Sequence, residues 1–142
     1  MKTDLRVFLD ANILFTAAHN PEGRSAALFG LARVGRCGLH TSPHAIEEAR
    51  RNLRVKHPEA VALLESLLEW VSLRPQAPAP LVEWALEQGL PLKDAPILAS
   101  AVEARAHILV TGDRTHFGSL YGRRLRGVEV LAPREALLRL LE

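Results

Sequence analysis

Short apolar runs alternate with stretches of helical periodicity along all 142 residues, and that alternation restricts the fold more than any other feature. Residues 5–9 (LRVFL), 39–41, 71–73, 107–111 (HILVT) and 128–131 read as strands. Between and after them, apolar residues recur at helical spacing over 11–19, 25–34, 43–55, 81–88, 94–106 and 133–141. A further helix starts at Pro58 with Val61, Leu64, Leu67 and Leu68 inward, and a short helical piece follows Asp113. Parallel strands cannot be joined by a tight turn and need a crossover, usually a helix. Repeated strand-then-helix therefore predicts an α/β fold with a mainly parallel central sheet of about five strands and helices on both faces. The segment RPQAPAP (74–80) is a stiff connector too short to link domains, so one domain over 1–142 is expected.

Composition narrows the setting. A single cysteine, Cys37, rules out an intramolecular disulfide, and no run of 18 apolar residues offers a membrane span. Asp4, Arg6 and Asp10 interrupt the apolar stretch that a signal peptide needs, which predicts a cytoplasmic protein without membrane contact. The formal charge is +2, carried by 15 arginines against three lysines. Arginine's planar fork suits phosphate, although a GC-rich genome produces the same bias.

Only four aspartates occur, and three of them, Asp10, Asp94 and Asp113, open helical stretches. Asp10 and Asp113 also follow apolar runs that read as buried parallel strands, the edge where ligands bind in open α/β sheets. Asp94 stands one turn before an inward face of Ile97, Leu98, Ala101 and Val102, so it should face the interior. Each aspartate alone reads as a helix N-cap. Together they favour a shared site, because only Asp4 lies outside the pattern and the chain has Ser and Thr available for caps. Carboxylates gathered at one sheet edge repel each other unless cations hold them. An all-oxygen set selects Mg²⁺ or Mn²⁺; zinc would want His or Cys at ligand spacing, which six scattered histidines do not provide.

A fourth acid is expected from SPHAIEEARRNL (42–53). Its apolar face is Ala45, Ile46, Ala49 and Leu53. Glu47 points away among Arg50, Arg51 and Arg54, whereas Glu48 flanks the apolar face, which favours Glu48 as ligand and Glu47 as surface charge.

These pieces resemble the PIN-domain nucleases, a family that includes the VapC-like toxins of toxin–antitoxin pairs. The matching segments are FLDANIL around Asp10, the helix carrying Glu48, KDAPILASAVEARAHILVTGD from Lys93 to Asp113, and the following RTHF. The resemblance implies an Mg²⁺- or Mn²⁺-dependent endoribonuclease, with Asp10, Glu48, Asp94 and Asp113 as acidic catalytic and metal-binding set. Asn12 and Thr111 fall where the family places supporting polar residues. Many relatives carry a further acid after Asp113, where this chain has Arg114 and Thr115.

Arg50, Arg51, Arg54, Arg114 and His116 are candidate RNA contacts; Arg123, Arg124 and Arg126 form a second basic cluster. The same residues also read as a solvated helix face and a charged loop. Trp70 and Trp84 sit on apolar helical faces, which favours packing over base stacking. Apolar helices between 61 and 86 exceed what a small sheet covers, pointing to a homodimer interface or a partner groove, and the resemblance to VapC-like toxins implies a small antitoxin protein as such a partner. Two rival readings differ in kind. A haloacid-dehalogenase-type phosphatase also begins with a strand ending in Asp, but it needs a second aspartate two residues on, where Asn12 stands. A non-catalytic RNA- or partner-binding module would keep the fold without the chemistry.

Overall fold

The structure, a computed structural model, describes residues 4–142. Six strands form one sheet in the order β3-β2-β1-β4-β6-β5: β1 (Arg6–Leu9), β2 (Gly38–Thr41), β3 (Val71–Leu73), β4 (Ile108–Val110), β5 (Arg124–Leu125) and β6 (Val128–Leu131). Every pairing is parallel except β5 with β6. Around the sheet run α1 (Ala11–His19), α2 (Arg24–Arg33), α3 (Pro43–Lys56), α4 (Val61–Leu68), α5 (Ala79–Leu86), α6 (Ala95–Glu103), α7 (Arg114–Phe117) and α8 (Pro133–Leu140).

The sheet is central because its middle strands have no polar face. Val7, Phe8 and Leu9 of β1 and Leu109 and Val110 of β4 are fully buried, so both sides must be covered. Burying each such side chain contributes roughly 1.5–3 kcal/mol. Phe29 from α2, Leu53 from α3, Leu98 from α6 and Phe117 from α7 complete the same core. Helix α6 is buried at six of its nine positions, as its scant polar surface required.

One strand exceeds the five expected. β5 has two residues, too few to carry a period, and it pairs with β6 through Arg126 (φ 48°) and Gly127 (φ 86°). Two successive positive φ angles give the hairpin turn that matches strand twist. The Arg123–Arg126 cluster thus lies in and beside a hairpin. Helix α6 stops at Glu103, short of the expected 106, because Arg105 adopts φ 55° and the Ala106 amide returns to the Ala101 carbonyl at 3.0 Å. Helix α4 ends at Leu68, so Trp70 does not sit on a helical face. It stands before β3, 47% exposed, with the Arg33 guanidinium over its ring at 5.7 Å. Trp84 packs against the core with Arg126 over its ring at 4.6 Å. Among the described residues no helix is long and apolar enough to cross a membrane.

Strand order reverses at β1: β2 lies on one side of it and β4 on the other. The β1–β4 register pairs Leu9 with Val110, which brings Asp10 level with Thr111 where the two strands end. At such a switch point the following loops diverge to opposite sides and leave a crevice.

Candidate active site

A cleft of about 430 Å³ occupies that crevice, and Asp10, Glu48, Asp94 and Asp113 all line it. Asp10 follows β1 and caps α1. Its Oδ1 accepts from the Ala11 amide at 2.6 Å, and its Oδ2 accepts from Thr111 Oγ1 at 2.8 Å and Asn12 Nδ2 at 3.1 Å. Asp113, past the end of β4, caps α7 through Oδ1, which accepts from the His116 amide at 3.0 Å. Capping and gathering are therefore the same act for these two aspartates. Asp94 differs: it stands at the N-cap of α6 without capping it, and its buried Oδ2 has no hydrogen-bond partner among the described residues.

Glu48 reaches the cleft from α3, while Glu47 is exposed and does not line it. Helix α3 starts sharply because Pro43 has no amide to leave unpaired and Ser42 Oγ accepts from the Ala45 amide at 3.2 Å. Its first turn is tied to the approach to α6, where His44 Nε2 donates to the Lys93 carbonyl at 3.1 Å.

Asn12 and Thr111 join the two strand ends. Asn12 Oδ1 accepts from the Gly112 amide at 2.7 Å, and its Nδ2 also lies 3.3 Å from Thr111 Oγ1. Thr111 Oγ1 accepts from the Asp113 amide at 3.1 Å, and Tyr121 donates its hydroxyl to the Thr111 carbonyl at 2.8 Å. Asn12 thus spends both ends of its amide inside the protein and has no acidic proton to deliver, contrary to what dehalogenase-type chemistry asks of that position.

His116 Nδ1 donates to Asp113 Oδ2 at 2.7 Å and lies 3.2 Å from Asp94 Oδ2. The second approach is an ion-pair distance without hydrogen-bond alignment, which is why that oxygen stays unsatisfied. Potential ligand atoms of Asp94, Asp113 and His116 lie within 4.8 Å of one another, and among the described residues neither Asp10 nor Glu48 of the expected metal set joins that group. His116, a candidate phosphate contact by sequence, holds Asp113 in the structure, and its i, i+3 spacing to Asp113 is the signal for that pairing. Lys93, Thr16 and Ser25 also line the cleft and carried no signal beyond position.

Burial dominates the electrostatics. It raises the Asp10 carboxyl from 3.8 to about 6, against the Thr111 and Ala11 hydrogen bonds and reinforced by the charges of Glu48 and Asp94. Burial also raises Asp94, opposed by Lys93 and His116 and aided by Asp113 and Glu48. At Asp113 burial pushes upward too, but the hydrogen bonds from the His116 amide and ring, with the His116 and Lys93 charges, outweigh it and hold the carboxyl below its usual value.

The other candidate contacts lie elsewhere. Arg50 is forked onto Glu65 of α4 by two bonds of 2.7 Å, and neither Arg51 nor Arg54 lines the cleft. Arg114 borders an adjoining hollow.

A model of the PIN domain matches residues 6–115. The chain belongs to the PIN domain family, whose members are nucleases. Among solved structures, PAE2754 from Pyrobaculum aerophilum superposes with a TM-score of 0.68 at 20% identity, covering 98% of each chain. VapBC from Salmonella typhimurium, solved bound to DNA, gives 0.67 at 15% identity over 91% of this chain and 98% of that one. VapC20 from Mycobacterium tuberculosis, a sarcin–ricin loop cleaving toxin, gives 0.58 at 15% over 80% and 94%. At these identities the likeness is one of fold. No curated protein sequence matches the chain.

Proposed function

We propose that this PIN nuclease is a divalent-metal-dependent endoribonuclease that hydrolyses phosphodiester bonds through Asp10, Glu48, Asp94 and Asp113. The observation that carries this reading is the unsatisfied Asp94 Oδ2, buried beside three other carboxylates in one cleft. An acceptor without a donor in a buried place is expensive, and a cation removes that expense. The donor set fits Mg²⁺ or Mn²⁺, because hard carboxylate oxygens dominate it. Asp10, Asp94 and Asp113 would hold the ion, with Glu48 at the side of the cleft.

The chemistry supplied by such a cation when bound is activation of water for in-line attack and offset of charge developing on the phosphate. The chain's residues do the positioning. Thr111, Asn12 and the Ala11 amide hold Asp10 so that it cannot swing from its neighbours. Lys93 supplies the lysine charge beside Asp94 and Asp113. The protein need not provide a nucleophile.

Neighbours of this fold include VapC20, a sarcin–ricin loop cleaving toxin, and VapBC from Salmonella typhimurium. With them in view, RNA is the substrate class we assign, and a small antitoxin protein is the partner. The exposed Leu63, Trp70 and Leu73 of the α4–β3 region support a homodimer or antitoxin contact. The test is cleavage of single-stranded RNA in Mg²⁺ or Mn²⁺ by wild type and by Asp10→Asn and Asp113→Asn. Both variants should be inert yet folded. Undiminished cleavage by either variant overturns the site assignment, and RNA binding without cleavage by wild type leaves a non-catalytic module.

A further inference from the structure

Beside the acidic cleft opens a second hollow of about 440 Å³ that shares Thr16, Ser25 and Pro133 with it. Its character is the reverse. Arg24, Arg114 and Arg134 line it, all exposed, against one acid, Glu135, which Arg134 Nη1 meets at 3.0 Å. Helices α2 and α8 both begin at this hollow, and their N-caps, Gly23 and Ala132, have no side chain that accepts from the first turn. Two positive helix ends thus add to the arginines. Ser25, only 4% exposed, lines both cavities and so marks the wall they share.

We propose that this hollow binds the phosphodiester backbone of single-stranded RNA next to the bond that is cut, with Arg24, Arg114 and Arg134 on phosphate oxygens and Ser25 donating at the junction. The inference rests on the ribonuclease reading and extends it to how the strand is held. Guanidinium forks match phosphate oxygens bidentately. Continuity decides the occupant. A strand whose scissile phosphate lies in the acidic cleft meets this hollow with its neighbouring phosphates, across walls the cavities share. An acidic peptide lacks that reason to enter, because it carries no phosphodiester to seat in the acidic cleft across the shared wall.

The test compares wild type with the double variant Arg24→Ala/Arg134→Ala, which spares Arg114 beside Asp113. Binding of a fluorescein-labelled twelve-nucleotide RNA is followed by anisotropy across a salt series in EDTA, where nothing is cut. The variant should bind roughly tenfold more weakly, and its slope of log K against log salt should be shallower by about 1.4, at about 0.7 per single-strand phosphate lost. Its Mn²⁺-induced rise in melting temperature, and its cleavage of a dinucleotide with one phosphodiester, should equal wild type. Equal RNA affinity and salt slope in the two proteins overturns the proposal, as does a poly-glutamate peptide whose binding needs the two arginines when RNA binding does not. Arginine-dependent RNA binding by a wild type that cuts nothing supports the hollow and sinks the ribonuclease reading. Cleavage of RNA that ignores both arginines does the opposite.

Discussion

Asp10→Asn should destabilise the metal-free protein at pH 4 and match or exceed wild type in stability at pH 7.5. Burial lifts the Asp10 carboxyl from 3.8 to about 6. Between those values the folded protein keeps a proton that the unfolded chain has released, so wild-type stability falls as pH rises through that window and stays low above it. The gap corresponds to roughly 3 kcal/mol at 1.36 kcal/mol per unit of pKa. Asparagine has no such titration, but an amide nitrogen in place of Oδ2 accepts from neither Thr111 Oγ1 nor Asn12 Nδ2, a loss of roughly 1–3 kcal/mol at every pH. Subtracting the two melting curves isolates the titration. The difference in melting temperature, variant minus wild type, should climb by roughly 6–12 °C between pH 4 and pH 7.5 in EDTA, at 2–4 °C per kcal/mol for a chain near this length. Circular dichroism melts at four pH values suffice. A difference constant to within a degree or two would show that Asp10 is not held against its charge, and the case for a repulsive pocket awaiting a cation would lose its main support.

Millimolar Mn²⁺ or Mg²⁺ should raise the wild-type melting temperature by roughly 5–11 °C if it reaches a hundred times its Kd, worth about 2.7 kcal/mol, and Asp94→Asn should remove most of that rise in a thermal-shift assay. Absence of any shift in wild type would return Asp10 and Asp113 to the role of caps. Glu48→Gln should lower RNA cleavage far more than Glu47→Gln, since only Glu48 lines the cleft; the reverse ranking in a gel assay would show that the helix is rotated in solution. Thr111→Val, which keeps the shape but removes a buried hydroxyl serving Asp10 and the Asp113 amide, should cost about 1–3 kcal/mol in urea unfolding. A loss below about 0.5 kcal/mol would mean the strand ends do not depend on that hydroxyl.

What was legible in the sequence was whatever a period or a strand end could report. The runs before Asp10 and at residues 107–111 are buried strands, and the helix carrying Asp94 faces inward because its apolar residues left it no other orientation. What was illegible depended on residues distant in the chain. The hairpin at β5 hangs on a two-residue turn, and Tyr121 finds the Thr111 carbonyl only after α7 has doubled back. The basic stripe of α3 looked free because nothing local reveals that Glu65 captures Arg50. Ser25 reads as an ordinary residue in the first turn of α2, and only the packing of α2 beside the cleft places it between the two cavities.

The carboxylates are not equivalent, and the difference follows from how their oxygens are spent. Asp10 and Asp113 each commit one oxygen to a backbone amide, which pins them in place against mutual repulsion. Their other oxygens already accept hydrogen bonds, from Thr111 and Asn12 in one case and from His116 in the other, so a cation must compete with those donors. Asp94 Oδ2 has no hydrogen bond to displace, only the 3.2 Å approach of His116 Nδ1. A ligand gains most where the free protein has satisfied least, because no existing bond is subtracted from the new one. Asp94 should therefore contribute the largest share of cation affinity, although nothing but the direction of one helix marks it in the sequence, while Asp10 and Asp113 contribute chiefly a fixed geometry.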